Sequence, residues 1–95
     1  MLLLHFLITN MENKIKFIQQ VINNDLELDF DYVSKDMKVS FGKKVKPKEI
    51  KKPYLYAEDL LKENALKCYL IDGIQKMTTT NSDGLIVEFR DGGEE

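Results

Sequence analysis

Between Glu12 and Asn24 the apolar positions recur at helical spacing. Ile15, Ile18 and Ile22 share one face, with Phe17 and Val21 beside them. The spacing predicts an amphipathic helix of about three turns, capped by Asn10 and stopped at Asn23-Asn24. Its apolar stripe requires a sheet or a partner to cover it. The period then changes to two. Leu26, Leu28, Phe30 and Tyr32 alternate with Asp25, Glu27, Asp29 and Asp31, which predicts a strand with one apolar and one wholly acidic face. Ser34-Lys35-Asp36 marks a turn. Met37, Val39 and Phe41, alternating with Lys38 and Ser40, predict the returning strand of a hairpin, and Gly42 marks a bulge or bend.

Further along, Tyr54-Leu55-Tyr56-Ala57 reads as a short strand, and Glu58 to Asn64 as a turn or a single helical turn. Lys67 to Ile71 reads as another strand, Asp72-Gly73 as a break, and Asn81-Ser82-Asp83-Gly84 as a strong turn signal before a final strand from Leu85 to Phe89. The sum is one helix followed by about five short strands. This is an α+β, mainly β fold: an N-terminal helix on a small, strongly bent antiparallel sheet or half-open barrel. Tyr32 and Tyr69 are expected in the core with satisfied hydroxyls.

With 95 residues the chain has room for a single domain, placed at 11–90, with a frayed tail at 91–95. Residues 1–10 form an apolar segment. It is too short to span a membrane and lacks a basic n-region and a cleavage site. Two readings of it stay open: an extension from an upstream start, with Met11 as the natural one, or a strand or helix turn covering an open edge. His5 within it is expected to be a packing residue. The single Cys68 excludes an internal disulfide and makes a reducing, cytoplasmic location the default. One cysteine and one histidine supply no zinc site and no familiar nucleophilic constellation. There is no phosphate loop or dinucleotide fingerprint. Neither a metal nor another cofactor is expected, and the chain is read as non-enzymatic.

Charge changes the picture more than composition does. The formal net charge is −2, yet Lys43 to Lys52 carries six lysines against one glutamate. A focused basic segment therefore sits on an otherwise acidic protein. Pro47 within it argues for an edge or loop rather than a central strand.

The order of these residues resembles a WYL domain. The likeness begins at Val21-Ile22 and runs through the polar gap to Leu28, Phe30 and Tyr32. It continues with Lys44-Val45-Lys46-Pro47-Lys48-Glu49-Ile50, at the place of a basic–hydrophobic–x–Pro–x–x–aliphatic segment. The namesake Trp-Tyr-Leu appears as Pro53-Tyr54-Leu55, followed by Tyr56-Ala57. The closing Arg-x-Phe-x-x-x-Arg-Ile appears as Lys67-Cys68-Tyr69-Leu70-Ile71-Asp72-Gly73-Ile74. The tryptophan and both signature arginines are thus replaced. The resemblance implies an SH3-like or Sm-like barrel and a ligand-sensing module; 95 residues leave no room for a DNA-reading domain beside it, so a stand-alone module is expected.

What the resemblance implies for function is a site of Lys44, Lys46, Tyr54, Tyr56 and Lys67. It would bind an anionic ligand, nucleotide-like or a short single-stranded nucleic acid, with lysines on phosphates and tyrosines stacking on a base. Lysine lacks the bidentate fork of arginine, so its grip on an anion would be weaker. The alternative is a protein-interaction module that docks the basic segment on an acidic partner. The acidic alternation of Asp25, Glu27, Asp29 and Asp31 reads as a solvated face, as repulsion of long nucleic acid, or as a complement to the lysine segment of a second copy. Exposed edges on so small a core predict a homodimer, and nothing predicts a membrane contact.

Overall fold

The computed structural model describes the backbone of residues 2–89 and the side chains of residues 11–89. The expected tail at 91–95 and the expected role of His5 lie outside the described residues and side chains. The chain forms α1 (Leu2–Asn23), β1 (Leu28–Val33), β2 (Val39–Lys51), β3 (Tyr54–Asp59), β4 (Ala65–Leu70), a 3₁₀ turn (Ile71–Gly73), β5 (Ile74–Thr80) and β6 (Ile86–Glu88). One helix packs on a six-stranded antiparallel sheet of order β4-β3-β2-β1-β5-β6. The α+β, mainly β architecture is therefore present, with one strand more than the pattern predicts.

α1 is longer than its amphipathic stretch, because the apolar segment from Leu2 continues the same helix. Its C-terminus is fixed by a Schellman arrangement. Asp25 N–H donates to the Ile22 carbonyl at 3.0 Å and Leu26 N–H to the Val21 carbonyl at 2.9 Å. Asp25 takes the left-handed position with φ 58°, where glycine is the usual residue. Leu26 is thereby spent on the helix end and packs on the core, so β1 begins at Leu28 rather than at Leu26.

β2 organises the sheet. Its first part pairs with β1, from Val33↔Val39 to Leu28↔Val45. Its second part pairs with β3, from Val45↔Asp59 to Lys51↔Tyr54. The lysine segment is therefore strand rather than loop: Lys43 to Val45 lie between β1 and β3, and beyond Val45 the strand pairs with β3 alone, so Pro47 takes the edge position expected of it. Pro47 is tolerated because β1 has ended at Val45, so this stretch of β2 has a strand on one side only, and because a bulge follows between Pro47 and Glu49. A second bulge sets Phe41 and Gly42 opposite Asp31. Gly42 adopts φ 67° there and its N–H donates to Asp31 Oδ1 at 3.0 Å.

The sheet does not close into a barrel, because β4 and β6 stand at opposite ends of the strand order. A side chain bridges part of the gap: the Tyr32 hydroxyl accepts from Leu70 N–H at 2.9 Å. The core lies between α1 and the inner face of the sheet. It is formed by Ile18, Val21, Leu28, Phe30, Val45, Leu55, Ala57, Tyr69, Ile71, Ile74 and Met77. Met37, Val39 and Phe41 depart from the alternation rule. They are exposed by 76%, 52% and 79%, because the β1–β2 hairpin tip carries its apolar side beyond the packed core.

These differences in burial separate two substitutions of similar chemistry. Ile74→Ala is expected to cost about 2–5 kcal/mol in urea denaturation. Phe41→Ala is expected to stay within about 0.5 kcal/mol, as exposed positions do. Equal losses from the two would show that the hairpin tip packs on the core.

Candidate functional site

The alternation of β3 decides where the expected site residues point. Leu55, Ala57 and Asp59 are buried on the inner face, which puts Tyr54 and Tyr56 together on the outer one. On β2, Val45 and Pro47 face inward, so Lys44 and Lys46 are also on the outer side. Lys67 is not. It pairs with inward-facing Ala57 and lies on the inner side with Asp59. Along the outer face, Lys46 stands opposite Glu58, whereas Tyr54 stands opposite Lys51, at the far end of the β2–β3 ladder. The structure brings Tyr54 and Tyr56 together and Lys44 and Lys46 together, and leaves Lys67 on the other side of the sheet.

The lysines do not form an open basic patch. Lys44 Nζ lies 3.1 Å from both carboxylate oxygens of Asp29, its cross-strand partner on β1. Lys46 Nζ reaches Asp25 Oδ1 at 2.8 Å and the Asp25 carbonyl at 2.9 Å. This hydrogen bond and the Lys46 charge hold the Asp25 carboxyl below its ordinary pKa. Lys48 meets Glu58 at 3.6 Å and Lys51 meets Glu49 at 4.0 Å. Asp25 and Asp29 of the acidic alternation thus meet the basic segment within one chain, while Lys48 and Lys51 find their carboxylates on β3 and on β2 itself. Three of these pairs, those of Lys44, Lys48 and Lys51, have both partners substantially exposed and are individually weak.

What remains on the outer side is aromatic and apolar. Tyr54 faces Leu70 and Tyr56 faces Cys68 across the β3–β4 ladder, and Leu66 follows at 68% exposure. Lys51 Nζ stands 5.8 Å from the Tyr56 ring centroid. The neighbouring Cys68 thiol pushes the Tyr56 hydroxyl up from its ordinary pKa. Cys68 itself is an exposed, free thiol.

The inner side holds a cluster that no spacing rule flagged. Asp59, 1% exposed, has Oδ2 at 3.4 Å from both Lys43 Nζ and Lys67 Nζ, and its Oδ1 accepts from Leu61 N–H at 3.0 Å. Burial pushes the Asp59 pKa up. The Leu61 amide and the two lysines outweigh it, and the group ends below its ordinary value. Below this cluster Phe30, Tyr32 and Tyr69 stack edge to face, with ring centroids 5.1–6.3 Å apart. The Tyr69 ring lies 5.8 Å from Lys43 Nζ. The expectation of satisfied hydroxyls holds for Tyr32 and fails for Tyr69. The Tyr69 hydroxyl is buried with no hydrogen-bond partner among the described residues, and burial pushes its pKa up to about 12. The ring is fixed by its aromatic neighbours, and no acceptor stands where its hydroxyl ends.

Gly73 occupies the place of the second signature arginine in the WYL-like pattern. A Cβ there would overlap the Val33 carbonyl oxygen, so no side chain fits. Among the described residues no group of three metal-ligating side chains converges, and no helix is long and apolar enough to cross a membrane. Comparisons with protein-family models, curated proteins and solved structures return no match to this chain.

Two measurements check the inner cluster. Tyr69→Phe removes a buried hydroxyl that bonds nothing and is expected to leave stability unchanged or raise it by up to about 1 kcal/mol. Tyr32→Phe strips the Leu70 amide of its acceptor and is expected to cost about 1–3 kcal/mol. The stabilisation from Asp59 has a defined sign with pH. Its folded pKa lies below the ordinary 3.8, so the contribution is complete above that value and fades as pH falls through the folded pKa. Asp59→Asn is expected to lower stability at neutral pH and to flatten the acid limb. An acid limb unchanged by the substitution would remove Asp59 from this role.

Proposed function

We propose that this chain is a non-enzymatic regulatory module of the WYL-like kind that works by docking a partner protein on the outer face of β2, β3 and β4. The observation that carries this reading is the pairing of Lys44, Lys46, Lys48 and Lys51 with carboxylates beside an outer strip of Tyr54, Tyr56, Leu66, Cys68 and Leu70, in which Tyr54, Leu66 and Cys68 are exposed. Such a strip with a rim of paired charges matches the anatomy of a protein interface, an apolar and aromatic centre within a polar margin. A phosphate at Lys44 or Lys46 would have to displace Asp29 or Asp25, and Lys67 could not join it from the inner side.

A second reading keeps the anionic, nucleotide-like ligand. It draws on Lys51 above Tyr56 with Tyr54 adjacent, a pair of rings and a cation that could receive a base and its phosphate. A homodimer belongs to the same proposal, because β4 and β6 each leave one edge without a strand among the described residues.

One experiment separates the readings. Wild-type protein and Leu66→Glu, a change at an exposed position, serve as baits for affinity capture and as samples for nucleotide titration. The docking reading predicts a protein captured by the wild type and lost with Leu66→Glu, and no response to nucleotides. Saturable nucleotide binding abolished by Lys51→Glu and untouched by Leu66→Glu would overturn docking in favour of the second reading.

A further inference from the structure

A cleft of about 400 Å³ lies between α1 and the β5–β6 end of the sheet. Its walls include Lys14 of α1, Asp72 of the 3₁₀ turn, Gln75 and Lys76 of β5, and Glu88 and Phe89 at the end of β6. Lys14 is 9% exposed as a whole residue, and it lines the cleft. Its ammonium makes one long hydrogen bond, 3.4 Å to the Asp72 carbonyl, and no ion pair with a carboxylate among the described residues. An ammonium carries three donors, so two remain for a ligand in the cleft. Lys76 adds a second cation from a bulge. The β1–β5 register shifts between Asp29 and Asp31, and Lys76 adopts φ 53°, a conformation rare for a side chain of that size.

We infer that this cleft is a binding site for a small zwitterion of the α-amino acid class, with its carboxylate on Lys14 and Lys76 and its ammonium on Asp72. The two lysines call for an anion. The carboxylate of Asp72 in the same wall disfavours a phosphate dianion and suits a ligand that carries a positive group beside its negative one. Phe89 and Ile74 supply an apolar wall for a side chain. The volume is at the small end of ligand sites, which fits an amino acid better than a nucleotide. The site lies on the helix side of the sheet and is independent of the outer docking face.

The test is an NMR titration of the full chain with L-phenylalanine and L-leucine, beside phenylacetate, phenethylamine and inorganic phosphate. Shifts are expected at the amides of Lys14, Gln75, Lys76 and Phe89 with the amino acids. Binding of the two half-ligands is expected to be weaker by about tenfold or more. Lys14→Met keeps the length and the packing of the side-chain stem, so it is expected to fold with little change in Tm and to lose the response. Lys76→Gln, at an exposed position, is expected to weaken binding without touching the core. The proposal is overturned if neither amino acid shifts these amides up to about 10 mM, if the response survives Lys14→Met, or if phosphate binds more tightly than both.

Discussion

The pairing of β2 with two different neighbours is the constraint on which the rest of this structure depends. Through Val45 the strand belongs to the β1 side, and from Val45 onward to the β3 side. Val45 is the one residue of β2 in both ladders, and it is fully buried. A strand used this way cannot stay flat. The bulges at Phe41-Gly42 and at Lys48 take up the change of direction, and the inner face curls around Phe30, Leu55 and Tyr69 under α1. Pro47 is part of the same device, since it sits where the ladder to β1 has already ended.

The same pairing decides the electrostatics. Once β2 lies against β1, Lys44 falls opposite Asp29, and Lys46 meets Asp25 at the end of α1. Charges that look segregated along the sequence become neighbours across the sheet, and the field of the basic segment is closed locally. Two consequences follow for binding. The outer face offers rings and aliphatic side chains rather than free cations. The ammonium groups with chemistry left to do are found elsewhere: Lys43 and Lys67 at buried Asp59, and Lys14 in the cleft beside β5.

Much of the architecture was legible in the sequence because its signals are local. The 3.6-residue spacing of Ile15, Ile18 and Ile22, the alternation through Phe30 and Tyr32, and the turn at Asn81-Gly84 all act over a few residues. β5 was not legible. Its bulge at Lys76 places the buried Ile74 and Met77 three residues apart, which breaks the period of two, although Thr78, Thr79 and Thr80 favour a strand. The extent of β2 was hidden for a similar reason, since Pro47 and a run of lysines look like a loop until a partner strand with matching carboxylates is beside them. The site was less legible than the fold. Tyr54 and Tyr56 share a face as a period of two requires, but the placement of Lys67 depends on the β3–β4 register, which no single segment encodes. Asp59 and Lys14 gave no signal, because burial of a charged residue is a tertiary property.

That the lysine segment is a strand of the sheet and not a loop is tested most directly by residue-resolved amide hydrogen exchange at neutral pH. Strong protection is expected at Val45, close to that of Leu28 and Leu55 in the neighbouring strands, with fast exchange at the β1–β2 hairpin tip around Lys35 and Asp36. Exchange at Val45 as fast as at the hairpin tip would contradict the strand, and would return the segment to a solvent-exposed loop with its charges free.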